Sequence, residues 1–368
     1  MSKNAQLSWE RYKVEELARV TPILAELGFT LEPNQPHIEG ERYLMQAVTT
    51  ASGRKLILLA RRARDKRRVV IKATRDPGGI RELVHERICR GALSKIHFAY
   101  HIFFSPEEIL STKRGGYTIS VQAFIEQDKP FLERPVEEQF SLILHSFKAQ
   151  EGAHATTYGH QRFIAKTFGT MDGNGYLASY RAFQKDISEH PLVPETARAA
   201  IKKGGDMLEK HRETIEQYCG FLTHTDFVPH NFRIVGDNMY LLDHSSLRFG
   251  NKYEGWARFL NFMTFYNRPL EEALLFYMRN NRAEEEMLSL TLMRIYKLGE
   301  LIWYHSDKLE KTSGDLRTLT QRRVEFWTSV LEAILGNTLV SEQIVREYVK
   351  TRDVLRSAEE HNRQKGLH

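Results

Sequence analysis

Apolar and polar positions follow two different periods along the chain, and the change falls near residue 135. Before it, short runs rich in apolar and β-branched residues alternate with turn residues, which predicts strands in an antiparallel arrangement. After it, apolar residues recur at helical spacing, apart from one short hairpin. The predicted strands are 42–48, 56–60, 69–73, 100–104 and 117–125, and the hairpin strands are 232–235 and 239–242. The predicted helices are 8–28, 80–93, 136–153, 176–190 and 194–219, with helical segments again over 253–350.

These elements predict a chain of two lobes with shorter segments around them. A β-rich N-lobe with one helix spans 40–125, and a helical C-lobe spans 135–350. The stretch 126–134 connects them, an N-terminal helical extension covers 1–39, and a charged tail covers 351–368. A chain of 368 residues is long enough to give both lobes a core.

Composition narrows the class of protein without identifying it. Hydrophobic residues make up 41% of the chain and charged residues 27%, as in globular proteins. Lysine and arginine number 53 against 47 acidic residues, which gives a net charge of +6. The basic run 61–68 contains no aromatic residue, so a solvated hairpin is favoured over a nucleic-acid contact. Two cysteines, no apolar signal segment and no stretch of membrane-spanning length predict a cytoplasmic protein that crosses no membrane.

The segment 224–231, His-Thr-Asp-Phe-Val-Pro-His-Asn, is followed twelve residues later by Asp243 at the end of an apolar run. Asp226 and Asn231 lie on a loop that contains a proline, so both side chains can face one cavity. Asp226 suits a base that accepts a hydroxyl proton, and Asn231 with Asp243 suits magnesium bound against phosphates. Such residues more commonly cap backbone amides in loops. The hairpin that leads to Asp243 favours the phosphoryl-transfer site instead.

Lys72 ends the apolar run that begins at Arg68, where a lysine can reach from a sheet to the α and β phosphates of a nucleotide if a carboxylate holds it. Glu82 and Glu86 are one turn apart on the next predicted helix and share a face, so either can supply that carboxylate. The alternative is a solvated lysine on an edge strand. The position of Lys72 upstream of the Asp226 loop favours the phosphate-binding role.

Together these motifs resemble the aminoglycoside phosphotransferase and choline kinase-like branch of the protein kinase fold. That family carries a His-Gly-Asp-x4-Asn loop, a hairpin after it and an Ile-Asp metal site, and the resemblance covers about residues 40 to 265. It implies an α+β, protein kinase-like two-lobe fold that binds Mg-ATP between an antiparallel β N-lobe and a mainly helical C-lobe. The roles that it implies are catalytic base for Asp226, metal ligands for Asn231 and Asp243, and a phosphate-positioning ion pair for Lys72 and Glu86.

The resemblance also implies the nucleotide contacts. The segment 121–127 resembles the inter-lobe hinge, whose backbone would hydrogen-bond adenine and whose side chains would line its pocket. The turn 49–53 would cover the phosphates, and its single glycine leaves the work to Ser52, Gly53 and the backbone amides. The hinge residues are Ala123 and Ile125 for the backbone contacts, with Phe124 or Ile125 for the apolar pocket.

The sequence departs from the family pattern beside the motifs as well. Thr225 replaces the usual glycine, which a loop at negative φ tolerates. His244 follows Asp243 where an aromatic residue or glycine is usual. In the segment 249–257, Asn251 and Gly255 stand where acidic residues are usual, with Glu254 as the nearest substitute support for the catalytic loop.

The expected function is therefore an ATP-dependent phosphotransferase acting on a hydroxyl group of a small molecule such as an amino alcohol, a sugar or an aminoglycoside-like compound. The alternatives are a kinase that acts on a protein or another macromolecule, and a catalytically silent kinase-like regulatory module. The acidic run 284–286 is expected to be a solvated helix face, and the histidines show no zinc-ligand spacing.

Overall fold

The structure, a computed structural model, describes residues 9–33, 35, 55–95, 103–157 and 161–356. Within them, the N-lobe is built on a five-stranded antiparallel sheet in the order β1-β2-β3-β6-β5. Its strands are β1 (Phe29–Leu31), β2 (Leu56–Arg62), β3 (Arg68–Thr74), β5 (Glu108–Arg114) and β6 (Tyr117–Ala123). The predicted strand 42–48 and most of 100–104 lie outside the described residues, and Phe103–Phe104 forms β4.

The N-terminal helix α1 (Trp9–Glu26) belongs to the N-lobe and is not a separate extension. Val20 and Leu24 are fully buried in one apolar core with β1, β2, β3 and β6. Glu16, also buried, accepts hydrogen bonds from Arg75 and from the Tyr117 hydroxyl on the sheet. The sheet thus covers the amphipathic face of α1, while the predicted boundary at residues 39 and 40 lies outside the described residues.

The helix α2 (Pro77–Leu93) crosses beside the sheet and carries Glu86 inward. The Asp76 side chain accepts hydrogen bonds from the backbone amides of Gly78 and Gly79, at 2.9 and 3.1 Å, and so caps the first turn. Leu83, Glu86 and Arg90 are buried at helical spacing on one face. The cap fixes where the helix starts, and its period then places Glu86 opposite β3.

The C-lobe is mainly helical, as predicted. Helix α10 lies at its centre and packs against α5, α6, α8 and α11. The predicted helix 194–219 is two helices, because His211 leaves helical backbone geometry. The helices are α3 (Val136–Thr157), α4 (Gln161–Phe168), α5 (Gly173–Glu189), α6 (Glu195–Lys210), α7 (Arg212–Gln217), α8 (Glu254–Tyr266), α9 (Arg268–Asn281), α10 (Glu284–Ser306), α11 (Gly314–Leu335) and α12 (Glu342–Leu355).

Two small sheets carry the segments of interest in the C-lobe. The predicted hairpin forms β8 (Phe232–Val235) and β9 (Asn238–Leu241), and the unpredicted strands β7 (Phe221–His224) and β10 (Leu247–Gly250) pair antiparallel. Strand β4 adds to the hairpin by pairing parallel with β9. Because β4 follows α2 in the N-lobe, the hairpin joins the two lobes directly.

Helix α12 extends into the segment that the sequence predicts as a charged tail. The helix continues to Leu355, past the predicted boundary at residue 350. The Arg352 side chain is buried, and its guanidinium lies over the rings of Phe265 and Tyr266 at 5.5 and 5.7 Å. The cation–π contacts hold the helix on the C-lobe, so the helical part of the chain is longer than its charge pattern indicated.

The acidic run 284–286 is not simply a solvated face. Glu286 accepts hydrogen bonds from Lys252 and from the Tyr253 hydroxyl, both at 2.6 Å. The Lys252 ammonium also lies 4.9 Å from the Tyr253 ring centre and 5.1 Å from that of Tyr218. Burial alone would raise the pKa of Glu286, but the Lys252 and Tyr253 donors outweigh it and lower that pKa to about 2. This pair fastens the start of α10 to the start of α8.

We expect Glu286→Gln to lower the free energy of unfolding by up to about 3 kcal/mol at pH 7. The folded-state pKa lies below the ordinary value of 4.5, so the carboxylate stabilises the fold above pH 4.5 and loses that effect as the pH falls toward 2. Urea titrations at pH 7, 4 and 3 should show the difference from wild type shrinking with pH. Glu285→Gln, at an exposed neighbour, is the control and should change little. A pH-independent difference would contradict the assignment.

Candidate active site

Strand β10 and the residue before it support the loop that follows β7. Leu247 pairs with His224, and the Thr225 amide donates to the Ser246 carbonyl at 2.8 Å. Among the described residues, only Lys66 and Asn337 are non-glycine residues at positive φ. Thr225 therefore adopts the negative φ that its substitution for glycine required, and the loop keeps its path with a side chain at this position.

Asp226 and Asn231 face each other across this loop. The Asn231 Nδ2 atom donates to the Asp226 carbonyl oxygen at 2.8 Å and to its Oδ2 atom at 2.9 Å. Both partners are acceptors, so the amide nitrogen must point at Asp226 and the Asn231 Oδ1 atom must point away from it. The arrangement leaves Oδ1 available to a cation, as the predicted metal-ligand role requires.

Arg258, on α8, is a member of the site that the sequence patterns did not reveal. Its Nε atom donates to the Asp226 Oδ1 atom at 2.7 Å. Burial alone would raise the pKa of Asp226, but the Arg258 guanidinium outweighs it and holds that pKa below its ordinary value. The carboxylate is therefore ionised at neutral pH. The only sequence signal was the position of Arg258 one helical turn after Glu254, in the helix that the segment 249–257 opens.

The hairpin brings Asp243 beside Asn231. The Leu242 amide donates to the Asn231 carbonyl at 2.9 Å, so Asp243 is one residue past a direct cross-strand partner. The His224 Nε2 atom donates to the Asp243 carbonyl at 2.8 Å, which ties the start of the loop to the end of the hairpin. Burial would raise the pKa of Asp243, but His224, nearby serine hydroxyls and Lys72 lower it well below its ordinary value.

The carboxylate of Asp243 is itself oriented by the two serines after it. Its Oδ1 atom accepts from the Ser245 amide at 3.0 Å and from the Ser245 hydroxyl at 2.6 Å, and its Oδ2 atom accepts from the Ser246 hydroxyl at 2.7 Å. A carboxylate offers about four lone-pair positions, so one remains, on Oδ2. One carboxylate oxygen and the Asn231 amide oxygen fit magnesium, which takes few protein ligands and completes its shell with phosphates and water.

On the N-lobe side, Lys72 pairs with Glu86 and not with Glu82. The Lys72 Nζ atom lies 2.5 Å from the Glu86 Oε1 atom, and both side chains are buried. Glu82 instead forms an ion pair with Lys55, the residue before β2. Burial would raise the pKa of Glu86, but the Lys72 charge outweighs it and lowers that pKa. Lys72 Nζ also lies 3.4 Å from the Leu242 carbonyl, next to Asp243.

The hinge-like segment follows β6. The Ala123 amide donates to the Glu107 carbonyl at 2.9 Å and the Phe124 amide to the Arg68 carbonyl at 3.2 Å. Of the two backbone polar groups of Ala123, the carbonyl is thus the one left for the predicted adenine contact. The Ile125 amide, the other predicted contact, donates to no acceptor within the described residues. The predicted phosphate contacts Ser52 and Gly53 lie outside the described residues.

His244, the residue after Asp243, is fully buried between the lobes. Its Nε2 atom and the Ser105 hydroxyl, which follows β4, are hydrogen-bonded at 2.8 Å. Burial lowers the pKa of His244 to about 3, so the ring is neutral at physiological pH. The imidazole thus takes the place of the usual aromatic residue or glycine and adds a polar link between β4 and the hairpin.

Glu254 does not replace the missing acidic residue at Gly255. Its carboxylate accepts from the Tyr176 hydroxyl and from the Arg248 Nε atom, both at 2.8 Å, and is fully buried. The Gly255 amide donates to the Thr223 hydroxyl at 3.2 Å. A Cβ atom at Gly255 would lie 3.2 Å from the His224 carbonyl, so backbone packing supports the loop from close range.

Metal-binding clusters, membrane-spanning helices and disulfide bonds are absent from the described residues. No group of three or more histidine, cysteine, aspartate or glutamate side chains is arranged to hold a metal ion. None of the described helices combines the length and the apolar character needed to cross a membrane. Cys89 and Cys219 are both free, and burial raises the pKa of each thiol to about 12.

Solved structures share this architecture at low sequence identity. A thermostable aminoglycoside phosphotransferase mutant in its apo form matches with a TM-score of 0.51 and 14% identity, over 79% of this chain and 95% of its own. A macrolide 2'-phosphotransferase type I matches with a TM-score of 0.56 and 11% identity, over 84% and 97%. An amicoumacin kinase in complex with AMP-PNP and Ca²⁺ matches with a TM-score of 0.54 and 11% identity, over 93% and 98%.

No protein-family model matches the chain, and no curated protein does. The structural likenesses confirm the predicted α+β, protein kinase-like two-lobe fold.

Proposed function

We propose that the chain is an ATP-dependent phosphotransferase that moves the γ-phosphoryl group of Mg-ATP to a hydroxyl group of a small molecule. The observation that carries the proposal is the convergence of Asp226, Asn231 and Asp243 with the Lys72–Glu86 pair where the lobes meet. Structures with the same fold support it. They include an aminoglycoside phosphotransferase in a ternary complex with AMP-PNP and hygromycin B, at a TM-score of 0.50 and 12% identity.

The chemistry assigns a separate task to each side chain. Lys72, held by Glu86, would position the α and β phosphates, and the carbonyl of Ala123 with the amide of Ile125 would bind adenine. Asn231 and Asp243 would hold magnesium, which neutralises charge on the outer phosphate oxygens.

Asp226 would accept the hydroxyl proton in the transfer step. As the acceptor oxygen forms its bond to the γ phosphorus, the bond from that phosphorus to the β–γ bridging oxygen breaks and ADP leaves. The depressed pKa of Asp226 suits a group that must be ionised before the hydroxyl binds.

Three carboxylates inside the C-lobe are already committed to ion pairs, which favours a neutral or weakly charged acceptor. Glu254, Glu271 and Glu286 of α8 to α10 are each paired with lysine or arginine side chains. A strongly cationic acceptor needs free carboxylates near the cleft. An amino alcohol or a sugar therefore fits the proposal better than a polycationic aminoglycoside.

Nucleotide binding and phosphate-transfer assays test the proposal in sequence. Mg-ATP and Mg-AMP-PNP should raise the melting temperature of the full chain, and chelating the metal should reduce the rise. A panel of small hydroxyl compounds should then contain one that increases ADP production above the rate with ATP alone. Absence of nucleotide binding would overturn the proposal. Binding without turnover on any compound, with transfer to a peptide or protein instead, would favour a macromolecular substrate.

A further inference from the structure

Arg258 has hydrogen-bonding capacity that the fold leaves unused. Its guanidinium has five N–H donors, and its Nε atom uses one of them on Asp226. Neither Nη atom donates to an acceptor within the described residues, and neither is among the buried polar atoms without a partner. The side chain is only 17% exposed. The Nη atoms therefore open onto the accessible space beside the Asp226 carboxylate, which is itself 44% exposed.

Other cationic side chains near Asp226 form ion pairs with different carboxylates. The loop 225–231 contains no lysine or arginine. Lys297, which is buried, pairs with Glu300 and lies 3.7 Å from Glu254. Lys72 is held by Glu86 on the nucleotide side. Within the described parts of the chain, Arg258 is thus the cation that contacts the candidate base and still has donors to offer.

We propose that Arg258 is a further catalytic residue, whose Nη atoms bind the phosphoryl group during its transfer while its Nε atom holds Asp226. The inference rests on the proposed phosphotransferase function. The acceptor hydroxyl must lie within hydrogen-bond reach of Asp226 and in line with the γ phosphorus. A guanidinium bound to that same carboxylate lies at the point where the phosphoryl group passes from donor to acceptor.

The charge of the transition state supplies the reason for a cation there. A loosely bonded phosphoryl group spreads negative charge over its three equatorial oxygens, and an arginine supplied by the same chain stabilises that charge. The planar guanidinium can donate to two phosphoryl oxygens at once. Asp226 keeps the guanidinium in one orientation before the nucleotide binds, so little reorganisation is needed during the reaction.

A transition-state analogue tests the proposal without knowledge of the acceptor. Mg-ADP with aluminium fluoride presents a planar, anionic mimic of the transferring group, and its dissociation constant is compared with that of Mg-ADP alone by calorimetry. In the wild-type protein, the fluoride should tighten ADP binding by about tenfold or more. Arg258→Met should lose that gain and bind ADP as before, and Arg258→Lys should keep part of it. The matched control, Arg279→Met at an exposed position on α9, should keep all of it.

The outcomes separate the two proposals. If wild type binds neither ADP nor AMP-PNP, the phosphotransferase function fails and the role of Arg258 fails with it. If wild type binds ADP but gains nothing from fluoride, or if Arg258→Met keeps the full gain, only the role of Arg258 is overturned. A residue that merely oriented Asp226 would give that last result, with slower turnover and unchanged analogue binding. If Arg258→Met does not fold, the test uses Arg258→Lys. If that variant keeps the full tightening of ADP binding by fluoride and turns over at the wild-type rate, the proposal is contradicted.

Discussion

Asp226→Asn is expected to slow phosphoryl transfer by about 10²–10⁴-fold, the range that a general base contributes, and to leave Mg-AMP-PNP binding unchanged. The amide cannot take the hydroxyl proton, although its oxygen can still accept the hydrogen bond from Arg258. The loss should appear in kcat, since under the proposed function Asp226 would contact the acceptor hydroxyl and other groups would bind the nucleotide. Steady-state ADP production with a compound identified from the acceptor panel, together with calorimetric titration of Mg-AMP-PNP, measures both quantities.

The matched control is Asp237→Asn in the turn of the same hairpin, where the aspartate side chain is exposed. It makes the same chemical change within a few residues of the site and should leave turnover at the wild-type rate. A second variant, Asp226→Ala, is needed because the new asparagine side chain could disturb the loop. Its NH₂ group would face the Asn231 Nδ2 atom, which now donates to a carboxylate oxygen of Asp226. Turnover above a tenth of wild type in both Asp226 variants would rule out the assigned base.

The strands that sequence patterns predict are those with a buried face. Strand β3 has five buried positions of seven and β6 has six, and the patterns placed both close to their observed bounds. Strand β5 was missed because it lies at the sheet edge with no fully buried residue and carries no apolar alternation. Strands β7 and β10 are as short as β8 and β9, but no tight turn joins them and marks them as a pair in the sequence. Their existence depends on mutual pairing, a non-local property.

The same distinction between local patterns and non-local contacts applies to the residues of the site. Asp226, Asn231, Asp243 and Lys72 lie in motifs whose spacing is local, so the sequence predicted them, and the fold brings them together at the lobe interface. Arg258 approaches Asp226 only because α8 passes beneath the loop, 32 residues later in the chain. No local pattern marks an arginine as the partner of a distant carboxylate. The choice of Glu86 over Glu82 likewise needed the rotation of α2 about its axis, which the Asp76 cap and the packing of Leu83 set.

Lys72→Met is expected to lower the free energy of unfolding by about 3–5 kcal/mol, because it leaves the Glu86 charge buried without its partner. Glu86 is 2% exposed. Once Lys72 is replaced, the hydrogen-bond donor left to its carboxylate is the Gln122 Nε2 atom at 3.4 Å. Stability and activity should separate in the double variant Lys72→Met with Glu86→Leu. Replacing both charges with apolar side chains should recover most of the stability. Turnover should stay reduced by about 10²–10³-fold, because no cation then positions the α and β phosphates.

The neighbouring ion pair provides the control for this cycle. Lys55, the residue before β2, and Glu82 link the same sheet to the same helix α2, but their side chains are 14% and 21% exposed. Lys55→Met should therefore cost about 1 kcal/mol or less, since water can solvate the carboxylate that remains. Urea unfolding of all four proteins, with ADP production measured on each, completes the comparison. Recovery of turnover in the Lys72 and Glu86 double variant would mean that the pair holds α2 on the sheet and has no part in positioning the nucleotide.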